Sequence, residues 1–427
     1  MSDRRAFLRG LGLAVAVPFF PRTARADTPY GGPFILQIAA QGGWDPTLLC
    51  DPKGGEVIDR LYAPGDIVTA GGIPVAPVGN ASVGLTVPDF FKKHGKKLLT
   101  LNGIDTRTNN HEAGTRYVWS GQLQEGGPAF GALCAAALGP SRPMGFLSAG
   151  GYDATAGVVP LVRPGSFDAL REVARPDWID SANPDTERFH SQTTLNHIRD
   201  AQKARTDALY AKATLPGRRH ALGSLMLARD ASTALDTLTL PPKVVDAPKN
   251  QNGDTLWDLW DFLQNAQLAM AAFSSGLAVS ASLALGGFDT HAGHDGSHVD
   301  QLSKLLAGID YVYAQADAAG LGGKLVVVIG SDFGRTPSYN EQNGKDHWPI
   351  TSMLLSGPGI TGGRVVGATD AGQKAVALDK KTLTPKPDGL TLRPEHVQRA
   401  LRTLAGVNGS AVAKAFPLPG EDLPLVG

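Results

Sequence analysis

Val326, Val327, Val328 and Ile329 form an apolar, β-branched run that stops at Gly330-Ser331 and leaves a carboxylate, Asp332, at its end. Such residues suit a strand buried on both faces. A short loop containing Gly and Asn then brings in Arg335, Asp346 and His347. A second strand-like run, residues 279–285, ends in Gly286-Gly287-Phe288-Asp289-Thr290-His291, with His294 and His298 following. A third, Phe34-Ile35-Leu36-Gln37-Ile38, runs into Gly42-Gly43-Trp44-Asp45. Parallel strands joined by helices place all such ends along one edge of a sheet. Ligands of open α/β sheets sit at that edge.

The segments between these runs read mainly as helices. Apolar positions at helical spacing, among them Leu302, Leu305, Leu306 and Ile309, predict a helix over residues 298–319. Further helices are expected over 111–119, 130–138, 256–276 and 393–405, and strands over 97–102, 157–162 and 351–355. Residues 166–250 carry Glu, Arg and Lys among Ala and Leu, and predict a solvated helical cap inserted in one domain spanning 27–427. The expected fold is therefore α/β, a three-layer α/β/α sandwich around a mostly parallel sheet.

Forty basic and forty acidic residues balance to a formal charge of zero, which leaves no basic footprint for nucleic acid. The 52 glycines and 30 prolines imply many turns and elaborate loops. At the N-terminus Arg4-Arg5-Ala6-Phe7-Leu8-Arg9 precedes an apolar run from Leu11 to Phe20 and an A-x-A site at Ala24-Arg25-Ala26. This resembles a twin-arginine signal, with Asp3 where Ser or Thr is usual. The run is too short, and too interrupted by Pro18, for a permanent membrane span. The mature protein is expected to start near Asp27, in the periplasm or outside the cell, after passage through the twin-arginine machinery, which carries folded and often cofactor-loaded proteins. Cys50 and Cys134 are either one disulfide or two buried apolar side chains.

Asp289 and His291 stand two apart just beyond a strand, so a curling loop can aim both at one ion. Carboxylate and imidazole donors suit zinc, manganese or iron. The alternative is an Asp that caps the next turn beside an exposed His. Of the adjacent Asp346 and His347, His347 is expected to face the site, with Asp346 holding its second ring nitrogen or lying on a surface turn. Asp332 and Arg335 are either an ion pair stiffening their loop, or a metal carboxylate and a guanidinium for an anionic substrate oxygen. His111 opens a helix, where anions are favoured, and is the candidate nucleophile or acid/base, with Asn110 a possible donor. An N-cap Asn followed by a solvent-facing His is the alternative. His294 is expected to bind substrate or to support the ligands. No Gly-x-Ser-x-Gly elbow, phosphate loop or dinucleotide fingerprint occurs.

With these residues assembled, the chain resembles the exported bacterial family called domain of unknown function 1501. The resemblance rests on the twin-arginine start, Gly42-Gly43-Trp44-Asp45, His111 near Ser120-Gly121, Gly286 to His291, Ser331 to Thr336, and Asp346-His347-Trp348-Pro349. That family is similar to the alkaline phosphatase and sulfatase superfamily, α/β/α sandwiches whose strand-end Asp and His residues hold one or two divalent metals. By order along the chain, the resemblance implies metal ligation by Asp45, Asp289, His291, Asp332 and His347. Zinc, manganese, calcium or magnesium is the implied ion. Phe333 departs from the superfamily's Asp-His pair, and neither Thr106, Thr108 nor Thr115 matches its nucleophile; the sulfatase Cys-x-Pro-x-Arg signature is missing. The implied activity is hydrolysis of a phosphate or sulfate ester, on a small molecule or at a cell surface. The alternative is a non-catalytic periplasmic binding or scaffold protein on the same fold.

Overall fold

A computed structural model describes residues 29–427, apart from 164, 176, 184, 235–237 and 239–243. The expected signal segment therefore lies outside the described residues. The strands are β1 (Phe34–Ala40), β2 (Val68–Ala70), β3 (Ile73–Val75), β4 (Leu99–Asp105), β5 (Phe146–Ala149) and β6 (Leu161–Val162). They continue with β7 (Ser280–Leu285), β8 (Leu325–Ser331), β9 (Gly334–Arg335), β10 (His347–Trp348), β11 (Ile350–Ser356) and β12 (Arg364–Val366). Eight of them form one sheet in the order β12-β4-β11-β8-β1-β7-β5-β6. All neighbours are parallel except β11, which runs antiparallel to both β4 and β8.

Alternation along β1 builds the layers. Phe34, Leu36, Ile38 and Ala40 point into one core with the helices Val87–His94, Trp257–Ser274 and His294–Ala318. Ile35 and Ala39 point into the other, with His111–Ser120, Phe130–Leu138 and Pro394–Leu404. This is the α/β/α sandwich that the strand pattern predicts. Cys50 lies in the first core and Cys134 in the second, and both are free, so no disulfide joins them.

The register aligns the strand ends that matter. Ala40 of β1 is level with Leu285 of β7 on one side and Ser331 of β8 on the other. Ile350, the first residue of β11, pairs with Asp105, the last of β4. Five strands thus leave or enter the sheet at one rim. Within the expected cap lie the helices Phe167–Ala174, Gln192–Lys212 and Pro216–Ala234, and the second of these buries only Thr206. The helix expected from residue 298 starts at His294, which places His294 and His298 one turn apart on it and not in the preceding loop. β2, β3, β5 and β12 are elements that the sequence pattern does not predict. Each spans four residues or fewer, too short for a periodic signal.

Candidate metal centre

The rim carries a loop after each of β1, β7 and β8, and the helix that follows β4. Gly42 has φ +116°, and a Cβ there would lie 2.4 Å from the amide nitrogen of Asp289, so only glycine lets the first two loops touch. Asn110 caps the helix His111–Ser120, its Oδ1 accepting from the Ala113 amide at 3.0 Å. This is the capping alternative for Asn110, and it sets His111 as the first helical residue. In the two-residue ladder of β9 and β10, His347 stands opposite Arg335. Phe333 is fully buried, with its ring against His111 and His347 at centroid distances of 4.7 and 4.5 Å.

Three imidazoles and one carboxylate meet there. His291 Nε2 and His347 Nε2 lie 3.0 and 3.1 Å from Asp289 Oδ1 and 2.9 Å from each other. His111 Nε2 lies 3.5 Å from Asp289 Oδ2. The other nitrogen of each ring is committed. His111 Nδ1 meets Asp332 Oδ2 at 2.5 Å, His291 Nδ1 meets Asp346 Oδ1 at 2.7 Å, and His347 Nδ1 meets the Asn109 carbonyl at 2.8 Å. Ionised carboxylates and a carbonyl only accept, so each Nδ1 carries a proton, and in its neutral form each ring turns a bare Nε2 lone pair inward. Lone pairs facing one another and a carboxylate repel unless a cation lies between them.

The donor set fits a metal ion. Bonds of about 2.0–2.1 Å place neighbouring ligand atoms roughly 3 Å apart, which is the spacing found. Among the described residues, His111, Asp289 and His347 are the group whose ligand atoms all lie within 4.8 Å of one another. His291 adds a fourth donor through its contacts with Asp289 and His347. Nitrogen-rich ligation suits zinc, manganese or iron better than calcium or magnesium, which prefer oxygen. The side chains of Asp289 and His291 are 48% and 44% exposed, so the cluster has an open face.

Several expected roles change. Asp332 stands behind His111, not among the ligands: its Oδ1 accepts from the Gly42 and Gly43 amides at 3.1 and 2.9 Å and from Ser331 Oγ at 3.0 Å. That carboxylate lifts the His111 imidazole above the ordinary histidine range. His111 itself lies with the ligands. Arg335 is fully buried, its guanidinium taken up by the protein. Its Nε donates to the Gly43 carbonyl at 2.8 Å, Nη1 to the Lys345 carbonyl at 3.0 Å, and Nη2 to the Gly42 carbonyl and to Asp289 Oδ1. Although partial burial works the other way, the hydrogen bond and charge of Arg335 bring Asp289 down to about 2. Asp346 supports His291 instead of His347, and the hydrogen bond from that ring lowers the Asp346 pKa below the usual carboxylate range.

Asp45 and His294 are fully buried and bond to each other, at 3.1 Å, away from the imidazole cluster. Asp45 is held by Lys345 Nζ at 2.6 Å, a partner that sequence reasoning missed. A buried acid demands a buried cation, and Lys345, one residue before Asp346-His347, was the signal available.

An α/β/α sandwich with an open imidazole–carboxylate cluster at the strand ends defines a class of candidate metalloproteins. The chain belongs to the family described as protein of unknown function (DUF1501), which it matches over residues 37–384. No curated protein matches it. Among solved structures it is similar to the lipoteichoic acid synthase LtaP from Listeria monocytogenes, at 7% identity and a TM-score of 0.40, covering 90% of this chain and 74% of that one. It is also similar to BT1596, a 2-O GAG sulfatase, at 12% identity and 0.35, covering 93% and 76%. A third is a mutant TAB5 alkaline phosphatase, at 9% and 0.33, covering 78% and 93%. Likeness at this level carries no argument about chemistry. Among the described residues, no helix is long and apolar enough to cross a membrane.

Proposed function

We propose that this protein is an exported, metal-dependent hydrolase of a phosphate or sulfate ester, built around one divalent ion held by His111, Asp289, His291 and His347. The observation that carries this reading is the inward convergence of three Nε2 lone pairs whose rings are each fixed through Nδ1. Such an ion supplies a Lewis acid for an ester oxygen and makes water acidic enough to attack at neutral pH. The residues around it do the orienting. Asp332, Asp346 and the Asn109 carbonyl hold the rings, Arg335 pins Asp289, and the exposed side of Asp289 and His291 leaves room for substrate. Export rests on the paired arginines and the A-x-A site of the N-terminal segment.

A non-catalytic binding role is the second reading. It is favoured by the complete engagement of Arg335 by the protein, and by the lack, among the described residues, of any hydroxyl or thiol hydrogen-bonded to the four ligands. Elemental analysis of natively exported protein, followed by a panel of phosphate and sulfate esters, separates the two. Bound metal with turnover that is lost in His291→Ala supports the hydrolase. Bound metal with no turnover of any ester favours the binding role, and metal-free protein rules out the centre.

A further inference from the structure

A cavity of about 410 Å³ opens at the rim opposite the metal centre. β8 begins there at Leu325, β11 ends there at Ser356, and Lys96 and Lys97 stand just before β4. The volume falls within the roughly 300–1,000 Å³ of small-molecule sites. Leu325 and Val327 of β8 give it an apolar floor, and Tyr313 of the helix His294–Ala318 faces it beside Ser356. The loop that follows β11 is packed against the lysine pair, since a Cβ at Gly362 would lie 2.4 Å from the Lys97 carbonyl carbon.

Two donors in this lining lack an acceptor. Tyr313 and Ser356 are both buried, and their hydroxyl oxygens lie 2.7 Å apart. One O–H of the pair donates to the other oxygen, and the second hydroxyl proton has no acceptor among the described residues. Lys97 Nζ lies 3.3 Å from the centre of the Tyr313 ring, a cation–π contact, and among the described residues no oxygen accepts a hydrogen bond from it. Both lysines are exposed at the mouth, but partial burial still lowers the Lys97 pKa, against the pull of Asp317 and Asp310. Asp317 lines the cavity too. Two ammonium groups against one carboxylate leave a single positive charge.

A buried hydroxyl proton and an ammonium without an oxygen both require an acceptor. We propose that this cavity binds an amphipathic monocarboxylate, its head held by Lys96, Lys97 and the free hydroxyl of the Tyr313–Ser356 pair, its apolar body lying on Leu325 and Val327. One negative charge matches the one positive charge of the lining. Inorganic phosphate would bring more charge than the site balances and would leave the floor uncovered. The site stands apart from the imidazole cluster and does not depend on the reaction proposed there.

Calorimetric titration of natively exported protein with octanoate, acetate and octanol tests this. Octanoate is expected to bind once per chain, more tightly than acetate, which has the head alone, or octanol, which has the body alone. Lys97→Met should weaken octanoate about tenfold, as the loss of a hydrogen bond to a charged group does. The double variant Tyr313→Phe/Ser356→Ala should do the same, and Asp317→Asn should tighten binding. His291→Ala should leave it unchanged. Octanoate binding that is lost in His291→Ala but kept in Lys97→Met would belong to the metal centre and overturns the proposal. So does a wild type that takes up no octanoate, or that binds octanol or acetate equally well. Should the double variant fail to fold, Lys97→Met decides alone, because that side chain is exposed and its replacement leaves the core intact.

Discussion

His291 Nε2 and His347 Nε2 face each other at 2.9 Å while the opposite nitrogen of each ring is tied to an acceptor from a different loop. Both rings present the same empty side to Asp289, so metal affinity should depend on the outer acceptors as well as on the ligands. Asp346→Ala is expected to weaken zinc or manganese binding about 10–100-fold, and His291→Ala by more. Competition against a chelator of known affinity measures both, and an Asp346→Ala protein binding as tightly as wild type would refute this role for Asp346.

Arg335 joins three carbonyls and Asp289 from a fully buried position. Replacement by Met leaves these acceptors without a donor, an uncompensated burial that typically costs about 3–5 kcal/mol. The loss should appear in urea unfolding of metal-free protein, before any question of catalysis. If the midpoint stays at the wild-type value and only turnover suffers, Arg335 touches substrate after all.

Gly344 lies where the loop bearing His347 crosses the one bearing His291. A Cβ there would fall 1.9 Å from the His291 carbonyl carbon and oxygen. Gly344→Ala must part the loops, and an overpacking cost of about 1–3 kcal/mol together with at least tenfold weaker metal binding is expected. Gly296, in the helix His294–Ala318 with open space around it, serves as the control: Ala there should be neutral or stabilising. Equal behaviour of the two variants would contradict the close crossing.

Asp59 gives a pH signature. Burial, then the Asp45 charge, push its carboxyl up to about 7, against the pull of Lys345. Its second oxygen lies 3.2 Å from the Tyr62 hydroxyl, whose own proton goes to the Thr47 carbonyl at 2.6 Å, so a proton on Asp59 completes that contact. Unfolded, the group titrates near 3.9. From about pH 4 to 7 the folded state therefore holds the extra proton, and stability falls as pH rises, by at most about 1.4 kcal/mol per unit, levelling off above. His294 and His298 act oppositely, because their depressed values make acidification costly below about 6.5. The readout is thus the melting temperature of wild type minus that of Asp59→Asn, which should decline across that window. A flat difference would place the Asp59 proton elsewhere.

The strand ends were legible because apolar β-branched runs closed by glycine and an acid have few alternatives. Asp289, His291, His347 and His111 followed from them, since loops leaving one rim converge. Side-chain direction around a tight loop has no periodic signal, and that hid the roles of Asp332, Arg335 and Asp346. Asp332 turns back to the Gly42 and Gly43 amides, and Arg335 turns inward to carbonyls. Asp45 was misplaced for another reason. An acid after Gly-Gly-Trp reads the same whether its cation is a metal or the Nζ of a lysine 300 positions away.

β11 enters the sheet directly from the site loop, one residue beyond β10, and runs back between β8 and β4. The segment carrying Asp332, Arg335, Asp346 and His347 is therefore clamped at both feet by adjoining ladders. Its middle is tied down as well, by Arg335 to the Gly42 and Gly43 carbonyls and to Asp289. On the proposed hydrolase reading, substrate and product cross the exposed side of Asp289 and His291 without that segment swinging away, so turnover should be insensitive to solvent viscosity until diffusion itself becomes limiting.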